Sequence, residues 1–180
     1  MDNLLFSADS IWTMIHGIVL GGGALLGIAA ALFSLVTVRV ADSANASAQR
    51  QARYLGWLTM LVAVALWLTV IVGTYVNFPP YRATPPEGLT DLSQYPKALI
   101  MSGPGTAWLH QFAMEIKEHV PWIAAMLATG AAFVATRHGQ SLARDASVRR
   151  LTTTLLAICF VLVSFVSLFG VFINKVAPLD

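Results

Sequence analysis

Two of the four histidines in this chain fall in one short run, Trp108-Leu-His-Gln-Phe-Ala-Met-Glu-Ile-Lys-Glu-His-Val-Pro-Trp122, which leads directly into an apolar segment, 123–134. Ionisable groups at membrane depth are costly, so their presence there points to function. Imidazole is the usual axial ligand of b-type haem iron, which makes His16, His119 and the competing His110 candidate ligands. Glu115 and Glu118 stand at i and i+3, and Glu115 and His119 at i and i+4, so a carboxylate and an imidazole can converge on one helix face. That pair could hold a hard or borderline metal, orient the imidazole or relay protons, although Lys117 between the acids is placed to neutralise one of them. His110 with Met114, and Met14 beside His16, would also suit copper, but methionine in a membrane helix ordinarily packs. The plainer account of the whole run is an amphipathic turn with Trp108 and Trp122 as interfacial belt residues.

The elements that must position these groups are membrane helices. The chain has 180 residues, 57% hydrophobic and 11% charged, far below the roughly one quarter charged that a soluble globule carries. Four apolar stretches, about 10–40, 52–77, 106–138 and 147–175, are each long enough to cross about 30 Å of hydrocarbon. The sequence therefore predicts an all-α fold: one integral membrane domain over 1–180, a bundle of four antiparallel transmembrane helices. The connectors 41–51 and 139–146 are short and polar, whereas 78–105 is a proline-rich loop between helices two and three, with no helix expected beyond a short surface piece near 95–102. Asn77-Phe-Pro-Pro should end helix two, Thr106 should N-cap helix three, and Pro121 should kink it near His119.

The N-terminus lacks the positive region of a cleaved signal peptide, so the first apolar segment is expected to remain as a span. Arg39, Arg50, Arg53, Arg137, Arg144, Arg149 and Arg150 flank the two short connectors, against Arg82, Lys97, Lys117 and Lys175 on the other side. Seven of the eleven cations thus place the short connectors in the cytoplasm, with both termini and the proline-rich loop outside, in the cell inner membrane. A net charge of +2 with scattered arginines gives no nucleic-acid footprint. The single cysteine, Cys159, excludes an internal disulfide or a cysteine-built zinc site. No Walker loop, GxSxG or HExxH motif is present, so an autonomous enzyme is not expected.

In helix one, Gly17, Gly21, Gly23 and Gly27 form small-xxx-small pairs that admit a neighbouring helix or a flat ligand. At about 100° per residue His16, Gly23 and Gly27 share a face. His16 and His119 lie at similar depth, so one bis-histidine haem between helices one and three is possible, with His110 as the alternative ligand or a propionate partner, and Lys117 and Arg82 as further propionate partners. Helix two offers no histidine, and helix four reads as lipid-facing or packing surface throughout. His138, alone near the cytoplasmic ends, reads as a helix-end residue, so a second bis-histidine haem cannot be built.

Four spans with His16 and His119 or His110 near one face resemble the small b-type cytochrome membrane subunits, the quinone-reactive anchors of respiratory complexes. The absence of histidines from helices two and four departs from the two-haem membrane cytochromes. The resemblance implies an electron-transfer subunit of a respiratory oxidoreductase that binds one haem b near the outer, periplasmic face. It would link an outer-side redox partner to quinone, with other membrane-complex subunits and the lipid bilayer as its surroundings. The alternatives are a cofactor-free structural or anchor subunit and a metal-handling or transport protein using Glu115, Glu118 and His119.

Overall fold

In the computed structural model, residues 7–37 and 46–178 are described; Arg39, counted above for orientation, lies outside them. Four helices are long and apolar enough to cross a membrane: α1 (Ala8–Thr37), α2 (Gln49–Tyr81, its first turn beginning at Ala46), α4 (Leu109–Arg137) and α6 (Ala146–Val176). Two shorter helices join them, α3 (Pro96–Ser102) and α5 (Gly139–Arg144). There is no strand among the described residues. The long helices form a closed ring in which α2 and α6 each pack against both α1 and α4.

Every face of these helices is apolar, so hydrophobicity does not choose the packing face. Residue size and spacing do. Buried positions recur at steps of four and three: Ala24, Ile28, Ala31 and Leu35 on α1; Leu55, Thr59, Val62 and Leu66 on α2; Ala124, Ala128, Ala131 and Ala135 on α4; Thr152, Leu156, Cys159 and Val163 on α6. This is the repeat that brings successive turns back to one seam. The alanine seam of α4 lets its backbone approach α2 and α6 closely, which is where dispersion contacts in a bilayer are gained.

The buried hydroxyls are satisfied within their own helices, Thr59 donating to the Leu55 carbonyl and Thr152 to that of Val148, both at 2.9 Å. Other polar contacts cross between helices. Cys159 Sγ meets the Ala124 carbonyl at 3.4 Å, and Trp67 Nε1 donates to Thr129 Oγ1 at 3.0 Å while its ring packs edge-on to Trp122. Trp67 is therefore a clasp between α2 and α4. Trp67→Phe keeps most of the ring and loses the bond; it should cost about 0.6–2 kcal/mol, read as a lower melting temperature in detergent, with Trp57→Phe on the exposed surface changing little.

The helix ends differ from the sequence expectation in several places. α2 does not stop at Asn77. It widens into a π turn over Gly73–Asn77 and adds a last turn, Phe78–Tyr81. Pro79 and Pro80 occupy the opening positions of that turn, where a missing N–H costs little. The stretch after it contains α3 at the place of the expected surface piece, with Pro96 and Ile100 buried and Ile100 in a small cluster with Tyr81, Leu109, Met114 and Ile173. Asp91 Oδ1 accepts the Ser93 amide at 3.0 Å, a local turn that holds the Asp91 carboxyl below its ordinary range.

Thr106 does not cap forward. Its hydroxyl donates back to the Ile100 carbonyl at 2.8 Å, tying α3 to the start of α4. The helix runs unbroken through Pro121; the irregular turn of α4 comes earlier, as a π turn over Leu109–Met114. The second short connector is itself mostly helical, as α5, and Asp145 after it caps α6 by accepting the Ser147 amide at 2.7 Å.

Candidate functional site

A π turn closes an i+5 ring, holds one residue more than an α turn and recurs at functional sites. Three of the four spanning helices carry one: Ile15–Gly22 in α1, Gly73–Asn77 in α2 and Leu109–Met114 in α4. All three border one cavity of about 860 Å³. Its walls come from the first turns of α1 and α4 and the last turns of α2 and α6. The volume falls in the range of small-molecule and cofactor sites, about 300–1,000 Å³.

His16 lines this space from α1. Its ring presents Cε1 to the backbone of α2 at Gly73, where an added Cβ would stand 2.7 Å from Cε1 and 3.4 Å from each ring nitrogen. The imidazole occupies the room that the missing side chain leaves. The main-chain acceptor facing the ring is Thr69, while Nδ1 is buried and has no hydrogen-bond partner. A ring set beside a backbone carbonyl, with a buried nitrogen left without a partner, is suited to ligate a bound group. Gly17, Gly21 and Gly170 thin the walls around it.

Two more polar atoms among the cavity residues are buried without partners, Thr13 Oγ1 and Glu118 Oε1. Buried polar groups are nearly always bonded, and those that are not call for a partner from outside the chain. The other Glu118 oxygen lies 3.9 Å from Arg82 Nη2, and the Arg82 guanidinium sits over the Phe78 ring at 4.5 Å. Lys117 reaches inward, its Cε 3.5 Å from where a Cβ on Gly170 would stand, within electrostatic range of both His16 and Glu118. Lys175 at the end of α6 joins the same wall.

Among the residues singled out from sequence, His16, Lys117, Glu118 and His119 therefore meet around one space. His119 lies on its rim. Its side chain is 73% exposed, and Nδ1 is bonded to the Glu115 carbonyl at 2.8 Å. Met14, Gly17, Gly21 and Met114 line it too, whereas the remaining candidates fall elsewhere. His110 is turned to Tyr81, whose hydroxyl is 3.0 Å from Nδ1. Glu115 stays on the surface, 3.9 Å from His119. Gly23 is exposed, and Gly27 is filled from α2 by Val62. Arg82 pairs with Glu118 rather than lining the cavity.

Comparison with family models, with curated proteins and with solved structures returned no match.

The physical reason for the glycine misplacement is the π turn at Ile15–Gly22. A step of 100° per residue does not hold across it, so His16 and the glycines beyond it lose their common face. Sequence reasoning also passed over helices two and four. α2 supplies Thr69, Gly73 and Thr74 to the site, and α6 supplies Ser167, Gly170 and Asn174. An isolated glycine within an apolar helix, as at Gly73 and Gly170, was the available sign of close approach. Among the described residues no three His, Cys, Asp or Glu side chains gather as a metal cluster.

Proposed function

We propose that this chain is a membrane electron-transfer subunit that holds a single b-type haem in the cavity beside His16. The four spans would alternate in direction, and the end bearing the cavity and the proline-rich loop would face outward by the distribution of cations. The observation that carries the reading is the buried, uncommitted Nδ1 of His16 beside about 860 Å³ of glycine-thinned space. Bound haem would supply a one-electron iron couple; the chain's residues provide its surroundings. His16 would hold the iron, its ring set beside Thr69 and the Gly73 backbone, and His119 on the rim is the candidate second ligand. Lys117 and Lys175 offer cations to the propionates, and Glu118 stands as the proton-carrying group between the cavity and Arg82. Electrons would pass between an outer redox partner and quinone within a larger membrane complex.

The test is the reduced-minus-oxidised absorption spectrum of the protein purified from cells supplied with a haem precursor. A Soret and an α band are expected, lost in His16→Ala and weakened or shifted in His119→Ala. His138→Ala, at the opposite end of the bundle, should leave both bands in place. A colourless protein, or bands indifferent to His16, would reduce the chain to a cofactor-free anchor.

A further inference from the structure

At the far end of the bundle from His16, a second recess of about 810 Å³ opens between the first turns of α2 and the last turn of α4. Both spans have a boundary there: the α2 span begins at Gln49 and the α4 span ends at Arg137. The recess thus lies at the depth of the lipid headgroups. Its lining gathers Arg53, Arg137 and His138 with the ring of Trp57 and the polar groups of Gln140 and Ser141. Among the described residues no acidic side chain lines it, and neither arginine makes an ion pair. Asp145, the acid in the adjoining turn, is occupied in capping α6.

The floor of this recess is close-packed. A Cβ on Gly56 would lie 3.4 Å from the Thr136 methyl, and one on Gly139 would lie 3.4 Å from Ala52, so α2 and the α4–α5 turn are held nearly backbone to backbone. Arg53 and Arg137 therefore spring from adjoining backbones. Their planar forks match pairs of phosphate oxygens. Trp57, 70% exposed, presents an apolar ring beside them on the lipid-facing side. Basic recesses between spanning helices at this depth bind anionic lipid headgroups.

We propose that this recess is a site for the headgroup of an anionic phospholipid, with Arg53 and Arg137 on the phosphate oxygens and Trp57 against the first acyl carbons. The site is independent of the haem reading. It shares no residue with the His16 cavity.

The experiment is native mass spectrometry of the full chain in detergent, titrated with phosphatidylglycerol or with phosphatidylcholine of the same acyl chains. Wild type should hold phosphatidylglycerol about tenfold more tightly or better, given about 1 kcal/mol per cation near a membrane surface. The Arg53→Gln, Arg137→Gln double variant should fall to the phosphatidylcholine level. Arg144→Gln with Arg150→Gln, exposed cations at the same end outside the recess, should keep the preference. Should the double variant fail to fold, Arg53→Lys with Arg137→Lys keeps the charge and loses the fork, and a several-fold drop is expected. Equal binding of the two lipids, equal loss in the control pair or an unchanged lysine variant would overturn the proposal. So would displacement of the lipid by millimolar inorganic phosphate, which would make the occupant a free anion.

Discussion

Gly27→Leu is expected to destabilise the bundle by about 1–3 kcal/mol or more, the cost of forcing volume into a packed seam. Even a Cβ at this position would stand 2.6 Å from Val62 Cγ2 and 4.0 Å from Leu58 Cδ1. Val62 is buried in the main core, and its methyls branch directly from Cβ, so no rotation carries them clear of the intruder. The two helices must separate, and the seam of Ala24, Ile28, Ala31 and Leu35 loosens along its length. Thermal or SDS-induced unfolding in detergent measures the loss. Val62→Ala in the same chain should recover part of it, a coupling of about 0.5–3 kcal/mol for residues in contact. Gly23→Leu, where an added Cβ meets nothing within 4 Å, should change stability by about 0.5 kcal/mol or less. Equal effects at Gly23 and Gly27 would mean that α1 does not present this face to α2.

Gly73→Ala should behave in the opposite way, sparing the fold and disabling the site. The atom that the new methyl meets, His16 Cε1 at 2.7 Å, is the far end of a side chain bordering a cavity, so the ring can swing aside at small cost to the fold. Doing so takes it from the Thr69 carbonyl and changes the direction of Nδ1. Loss of a group that orients a ligand typically lowers affinity for the bound group about 10–100-fold. On the haem reading, Gly73→Ala should therefore melt within a few degrees of wild type while retaining about a tenth or less of the haem under dilution. A variant that retains haem fully would show that His16 ligates nothing from this position. One that unfolds would show that the ring has no room to move.

The spans were legible from sequence because the bilayer imposes them: a helix interior to hydrocarbon must be about 20 residues long and nearly free of charge. The same cost of charge drew attention to the run containing Lys117, Glu118 and His119, and these three do border the cavity. Membership of His16 in that site could be suspected for the same reason, since an imidazole in an apolar helix is seldom idle.

What only the tertiary structure decided is which faces meet. A membrane helix is apolar all round, so the hydrophobic periodicity that orients a soluble helix carries little information; the alanine seam of α4 is set by size, and size matters only against a particular neighbour. The three π turns shift the phase of α1, α2 and α4, which moved Gly27 onto Val62 and His16 onto Gly73. That last contact joins residues 16 and 73 through a side chain that is absent. It was invisible in the sequence because a missing side chain becomes a site only when another helix brings something to fill the space.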